Sequence, residues 1–345
     1  MRKKIIFIGV ILALLIAMGV GAYLVYRMFY DPAVKHDFAV ELCEGESYDQ
    51  MVDKVKANID NDWAFDYYAD HLNLKSTLAP GHYRFKSGMS VIEVVRVLKI
   101  GQRSTSKIII NNVRTPEALA AKIASTVEVD EDELKRLLTD EAYAKECGFD
   151  SPMAMFAAFL PNTYEVDSSI EPRALLDHLR REAAKYWEKP EVQERLAYLA
   201  QTTPLNGWYD VMILASIVHE ETKAQEEMAR VAGVYINRLN INMLLQADPT
   251  VKYALGDPTL NRILKEHLKV DSPYNTYKHL GLPPTPISMP DMAAIEAVLN
   301  YEQHDYLYFC ARAELDGRHN FAKTLKEHNR NAAAYHKAIN NLKKK

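Results

Sequence analysis

Residues 214–227 read LASIVHEETKAQEE, the end of an apolar helix that runs directly into acid. Val211, Met212, Ile213, Leu214, Ile217 and Val218 make the apolar run, and His219, Glu220 and Glu221 close it. A core helix does not ordinarily finish this way, because an unpaired buried charge is costly. On a wheel of about 100° per residue, Glu221 falls between Leu214 and Ile217, in the middle of the apolar face. Glu220 falls on its edge and His219 on the far side, near Ala215 and Ser216. Geometry therefore pushes Glu221 toward the core, where apolar surroundings raise a carboxyl pKa and suit it to general-acid chemistry near neutral pH. The competing reading is a frayed helix end with Glu221 paired to Lys223 or Arg230, and the wheel alone leaves both open.

The chain of 345 residues is long enough for two or three domains. Its net charge of −4 argues against nucleic acid as a partner, since a phosphate-binding surface concentrates basic residues. The cysteines Cys43, Cys147 and Cys310 are too few and too scattered for a disulfide framework or a zinc site. HEETK begins like a zinc-protease motif, but the second histidine is replaced by Lys223, so the two-ligand helix face is missing. Ser216 lacks the glycines of a nucleophile elbow. No metal and no cofactor are expected.

Residues 5–26 form an uncharged stretch of 22 between Arg2-Lys3-Lys4 and Arg27. At 1.5 Å per residue that length crosses a hydrocarbon core of roughly 30 Å. It exceeds the apolar region of a cleaved signal peptide, so a retained anchor is expected. Positive charge before the span puts the four-residue tail in the cytoplasm and the rest of the chain outside it.

The expected fold class is α+β. After a tether at 27–36, residues 37–105 alternate strand and helix: FAVEL and GHYRF read as strands, and Ser90 caps a helix that ends before Gly101. Residues 107–112 (KIIINN) read as a strand, and Thr115-Pro116 starts a helix. A mostly helical connecting part covers 106–205, and a catalytic core covers 206–345. Within the core, Tyr306–Cys310 reads as a buried strand and 324–343 as a closing helix. In LLQADPTVKYALG, Gln246 and Asp248 are polar side chains on a stiff loop, suited either to sugar hydroxyls or to a turn or cap made by Asp248. SPYNTYKHLGLPPTPIS sets aromatic faces beside amides, which fits carbohydrate or simple loop packing. His319, Asn320, His328 and Asn329 show no metal-site spacing.

From about Leu205 onward the chain resembles the YceG-like family of endolytic murein transglycosylases (MltG-type). The resemblance rests on ASIVHEET, RVAGVYINRLNINMLLQADPTVKYALG, SPYNTYKHLGLPPTPIS and YLYFCARAELDGRHNFAKTLKEHN. GHYRFKSGMSVIEVVRVLKIG looks like that family's small LysM-like module, and FLPNTY like its FPDTY stretch. The resemblance implies that Glu221, followed by Thr222, is the catalytic acid of an E-x-E-T motif. The motif's first Glu is His219 here and the FPDTY aspartate is Asn162, which leaves those two supporting roles in doubt. His219 lies away from Glu221 on the wheel, so a Glu there should be tolerated.

The resemblance further implies lytic cleavage of the MurNAc–GlcNAc β-1,4 bond of peptidoglycan glycan strands, with a 1,6-anhydro end formed. Gln246, Asp248, Tyr274, Asn275 and Tyr277 would bind or orient the sugar. The expected setting is the cytoplasmic (inner) membrane, single-pass, with the catalytic part outside. There it would meet penicillin-binding proteins and other cell-wall synthases. Two alternatives are a hydrolytic muramidase with Asp248 as second carboxylate and a non-catalytic glycan-binding scaffold.

Overall fold

The structure, a computed structural model, describes residues 2–43, 45–100, 105–111, 113–167, 170–257, 260 and 262–342, without the side chains of 2–14, 82, 100, 105 and 167. Gly101 and Asn112, expected as a helix stop and a strand end, lie outside these residues. The chain divides into two units, 1–106 with 165–170, and 107–164 with 171–345.

The first unit begins with α1 (Arg2–Tyr30), within which the apolar stretch 5–26 falls. Among the described residues no helix is long and apolar enough to cross a membrane. β1 (Phe38–Leu42), α2 (Tyr48–Lys56), α3 (Asp62–His71), β2 (Gly81–Phe85) and α4 (Val91–Ile100) follow. β1 and β2 pair antiparallel, with Val40 opposite Tyr83 and Phe38 opposite Phe85. Alternation puts Val40, Leu42, Tyr83 and Phe85 on the buried face, where Phe65, Val91, Val94 and Leu98 cover them. Ser47 and Gln50 form a capping box at α2. Ser90 and Glu93 exchange the same bonds at α4: the Ser90 amide donates to Glu93 at 2.8 Å, and the Glu93 amide to Ser90 Oγ at 3.4 Å.

The second unit is mostly helical. It contains β3 (Thr105–Ile110, beginning in the first unit), α5 (Pro116–Ala124), α6 (Glu131–Thr139), α7 (Glu141–Glu146), α8 (Pro152–Phe156) and β4 (Asn162–Asp167, ending in the first unit). Then come α9 (Pro172–Trp187), α10 (Pro190–Thr202), α11 (Gly207–Glu221), α12 (Gln225–Asn240), α13 (Asp248–Leu255), α14 (Met292–Leu299), β5 (Tyr308–Ala311), β6 (His319–Ala322) and α15 (Leu325–Leu342). β3 pairs with β4, and β5 pairs antiparallel with β6. Thr115 caps α5 ahead of Pro116, as its sequence dictates. α11 sits at the centre. Every residue from Val211 to His219 is buried, packed among Val231, Ala232, Ile236, Ile295 and Val298 of α12 and α14. A helix covered all round has no single core face, which corrects the one-sided wheel.

Candidate active site

α11 stops where its acids begin. Thr222 leaves the helical region, and its Oγ1 accepts from the Ala224 amide at 3.1 Å, which turns the chain into α12. The two terminal glutamates then part. Glu220 stays off the cavity and pairs, mostly covered, with Arg114 at 2.6 Å. Glu221 turns into a cavity of about 350 Å³ and accepts a hydrogen bond from Tyr235 of α12, Oη to Oε1, at 2.7 Å. The partners that would have marked a frayed end are engaged elsewhere: Lys223 donates to the His219 carbonyl and Arg230 pairs with Glu302.

The Glu221 carboxyl is raised to about 7, chiefly by burial, with Asp248 and Glu220 acting in the same direction. The Tyr235 hydroxyl and the Arg238 guanidinium act in the opposite sense. Burial in turn pushes the Tyr235 phenol well above its ordinary range, so it remains a donor. With Oε1 held by Tyr235, Oε2 is the oxygen left to carry a proton toward the cavity.

α12 builds the wall through the run Tyr235–Leu239. Tyr235 is fully buried and packs edge-on against Phe309 at 5.9 Å. Asn237 donates to the backbone carbonyls of His304 and Tyr306. Arg238 donates to the Leu307 and Leu245 carbonyls at 2.7 and 2.5 Å, with its guanidinium over the Tyr308 ring. Tyr235 and Arg238, on one helical face, thus fix β5 and the loop that presents Gln246. Close approach demands Gly233, since a Cβ there would meet the Glu302 carbonyl and lie 2.7 Å from His304 Nε2.

The polar loops join each other. Buried Thr276 clips the loop at 246–250, accepting from the Ala247 amide at 3.0 Å and sharing a hydroxyl contact with Thr250 at 2.8 Å. Gln246 adopts φ +50°, an uncommon conformation for a side chain-bearing residue, so the loop is held open against local preference. Gln246, Asp248 and Tyr277 line the Glu221 cavity, and Tyr277 donates to Asp248 at 2.6 Å. Asp248 is the first residue of α13 and makes no cap.

Two of the residues singled out in the sequence stand apart. Asn275 is completely buried and ties its own loop to the Leu268 and Val270 carbonyls. Tyr274 bonds Thr285 at 2.7 Å and packs on Tyr253. Neither lines the cavity.

Sequence reasoning passed over Tyr235, Arg238 and Tyr308 and weighed His319 and His328 only as metal ligands; all five line the cavity. His319 is held by buried Glu227, Nδ1 to Oε2 at 2.9 Å, which leaves Nε2 for the cavity. Burial lowers the His328 pKa and favours its neutral form. Ser216 donates to Ile213 and accepts from the Ile287 amide, a core contact rather than a nucleophile. His219 lies beside Asp291, Nδ1 to Oδ2 at 3.3 Å, at the N-cap of α14. Asn162 is exposed and bonds the adjacent amide. Among the described residues no three His, Cys, Asp or Glu side chains group as a metal site.

A carboxyl raised to about 7 in a cavity lined by Tyr235, Tyr277 and Tyr308 is a candidate general acid. The chain belongs to the YceG-like family, whose profile matches residues 40–334. It is similar to an endolytic murein transglycosylase of Bacillus subtilis, 28% identical over 339 residues, covering 91% of this chain and 90% of that protein. It is also 26% identical to the endolytic murein transglycosylase of Streptococcus pneumoniae D39, over 95% of this chain and 65% of that one. A crystal structure of a YceG-like protein from Listeria monocytogenes superposes with a TM-score of 0.55 at 25% identity, covering 86% of this chain and 99% of that one.

Proposed function

We propose that this chain is an endolytic lytic transglycosylase of peptidoglycan, cutting the MurNAc–GlcNAc β-1,4 bond within the strand. The observation that carries the reading is Glu221, a carboxyl with a pKa near 7, hydrogen-bonded by Tyr235 at the base of a polar cleft. Protonated Oε2 gives its proton to the glycosidic oxygen, and the C1–O bond breaks. Positive charge develops at C1. The Glu221 carboxylate, stabilised by the Tyr235 hydroxyl and nearby Arg238, then takes the proton of the C6 hydroxyl as that oxygen bonds C1. The acid is restored, a 1,6-anhydro ring closes, and no water is consumed. Gln246, Asp248 and Tyr277 orient the sugar. Asn275 supports them by accepting from the Tyr277 amide at 3.0 Å, and Tyr274 packs on Tyr253 of α13, the helix that Asp248 begins.

Asp248 in the same cavity keeps a second reading alive, a muramidase with two carboxylates. Mass spectrometry of the muropeptides released by the full chain from sacculi separates the two. Anhydro-muramyl ends support the lytic reaction and reducing ends overturn it.

The anchor belongs to the same proposal. Within α1, Leu15, Ile16, Met18, Val20 and Leu24 are each more than half exposed, a surface suited to acyl chains. Residues 37–105, with their strand–helix–helix–strand order, serve as a LysM-like glycan-binding unit. Together they hold the enzyme over strands still being polymerised beside synthases, as a terminator of elongation. Labelling a tag placed after Lys345 with a non-permeant reagent tests the topology, and a protected tag reverses it.

A further inference from the structure

The wall of the Glu221 cavity holds a second group that the proton transfer does not use, His319. It opens β6, and its ring stands edge-on to Phe309 at 5.4 Å and to Phe321 at 6.5 Å. Its Nδ1 lies 2.9 Å from Oε2 of Glu227, and its backbone amide donates to the same carboxylate at 3.1 Å. Glu227, only 6% exposed, stands in the first turn of α12, the end of a helix that favours negative charge. The amide bond by itself ties β6 to α12. The ring bond adds something else: it fixes the tautomer and direction of the imidazole, as carboxylate partners of histidine do.

A carboxylate only accepts, so Nδ1 carries the proton, and in the neutral ring Nε2 keeps its lone pair. Nε2 has no partner among the described residues and is not sealed from solvent, so it meets the cavity as a free acceptor. In a muramyl unit within a β-1,4 strand, C1 and O4 are glycosidic and O3 carries the lactyl ether. Its ring therefore offers two donors, the C6 hydroxyl and the acetamide N–H. In the reaction proposed above the C6 proton goes to Glu221, which leaves the acetamide.

We infer that His319, held by Glu227, accepts the acetamide N–H of the muramyl unit being cut and thereby aims the acetamide oxygen at C1. The N–H and C=O of an acetamide point in opposite directions, so a hold on one directs the other. The oxygen dipole supports the positive charge that develops at C1 while the leaving oxygen takes the Glu221 proton. No proton passes through His319. The inference rests on the transglycosylase reading for its sugar, but not for what later attacks C1.

Nitrogen-15 spectra of the full chain with labelled histidine test the tautomer. The His319 ring should show a protonated Nδ1 and a bare Nε2, and the reverse overturns the inference. Cleavage rates on N-acetylated glycan strands test the role. His319→Phe keeps a ring against Phe309 but has no acceptor. Glu227→Gln keeps an oxygen for the His319 amide, but its own N–H donates to Nδ1 and drives the ring proton to Nε2. Each should lower kcat about ten- to hundredfold, the worth of one hydrogen bond to developing charge, with KM changed less. A packing role would lower the melting temperature and leave kcat alone. Should His319→Phe fail to fold by circular dichroism, Glu227→Gln decides by itself. An unchanged kcat in a folded variant overturns the inference. Reducing ends from the unchanged chain would strike the lytic reading only, because an acetamide oxygen at C1 serves attack by water as well as by O6. An unchanged chain that cuts no glycan overturns both.

Discussion

The two ends of α11 treat polar groups in opposite ways. At its C-terminal end a half-buried carboxyl is supplied with a donor, Tyr235, and set in a cavity with Gln246, Asp248 and Tyr277. At its N-terminal end, Trp208 faces a wall whose donors, Trp187 Nε1 and Arg180 Nε, are left without acceptors. A satisfied group with a shifted pKa is poised to exchange a proton. Donors sealed in a wall are not. The same buried helix thus carries a titratable group at one end and only packing at the other, and the variants below probe the titratable end.

The largest effect belongs to Glu221→Gln. The amide keeps the shape and accepts the Tyr235 hydrogen bond but has no acidic proton. General acid–base catalysis contributes roughly 10²–10⁴-fold, so release of anhydro-muropeptides should fall by that factor. The same variant sharpens the pKa argument through stability. The folded pKa of Glu221 is raised from 4.5 to about 7, so the folded state holds the proton more tightly than the unfolded chain. That contribution is fully present below about pH 4.5 and is lost as pH rises through about 7. Denaturant titrations should show the unchanged chain losing stability relative to the variant across that window, by on the order of 2 kcal/mol. Parallel curves would mean that the carboxyl is not held in its neutral form.

Tyr235→Phe comes next. The ring still packs against Phe309, but Glu221 Oε1 loses its donor. Because that hydrogen bond lowers the Glu221 pKa, removing it should carry the alkaline limb of the kcat profile to higher pH. It should also slow the reaction roughly ten- to hundredfold, since the ionised carboxylate is no longer supported. A slower enzyme with an unmoved pH profile would make Tyr235 a packing residue only.

Tyr235 also shows where the sequence stops being legible. β1, β2 and the caps at Ser90 and Thr115 could be read directly, because alternation and capping are local rules. Glu221 was legible because a carboxylate in an apolar run violates expectation. Tyr235 and Arg238 violate nothing: on an amphipathic helix an aromatic and a long base read as ordinary core and rim. The available signal was their i, i+3 spacing, which puts both on one face of α12. His319 and His328 reach the cavity only because β5 packs on α12 and carries β6 and α15 with it, a tertiary fact without a local trace. Asn275 misleads in the other direction. Its amide looks like a sugar ligand, but its bonds go to the Leu268 and Val270 carbonyls of its own loop.

His219→Glu now carries a cost that the sequence did not suggest. The wheel places it away from Glu221, and it is, but the structure sets it 3.3 Å from Asp291. Asp291 already caps α14 by accepting from the Ala294 amide at 2.8 Å. A buried glutamate there opposes one carboxylate with another, and thermal unfolding should report a loss of about 1–2 kcal/mol at neutral pH. The loss should shrink in acid as the pair takes up a proton. Activity measured well below the melting temperature should remain, and its disappearance would bring His219 into the chemistry.

The smallest effect should come from the nearest neighbour. Glu220 is one residue from the acid, yet it does not line the cavity and pairs with Arg114, the two side chains 17% and 54% exposed. A pair with one partner in solvent contributes about 1 kcal/mol. Glu220→Gln also removes a negative charge that raises the Glu221 pKa, so the alkaline limb should move slightly to lower pH. Anhydro-muropeptide release near pH 6 should stay within about twofold of the unchanged chain, because the acid is protonated there with or without that charge. If Glu220→Gln instead abolishes the reaction while Glu221→Gln spares it, the proton donor is Glu220. The cavity around Tyr235 would then have to be explained by something other than catalysis.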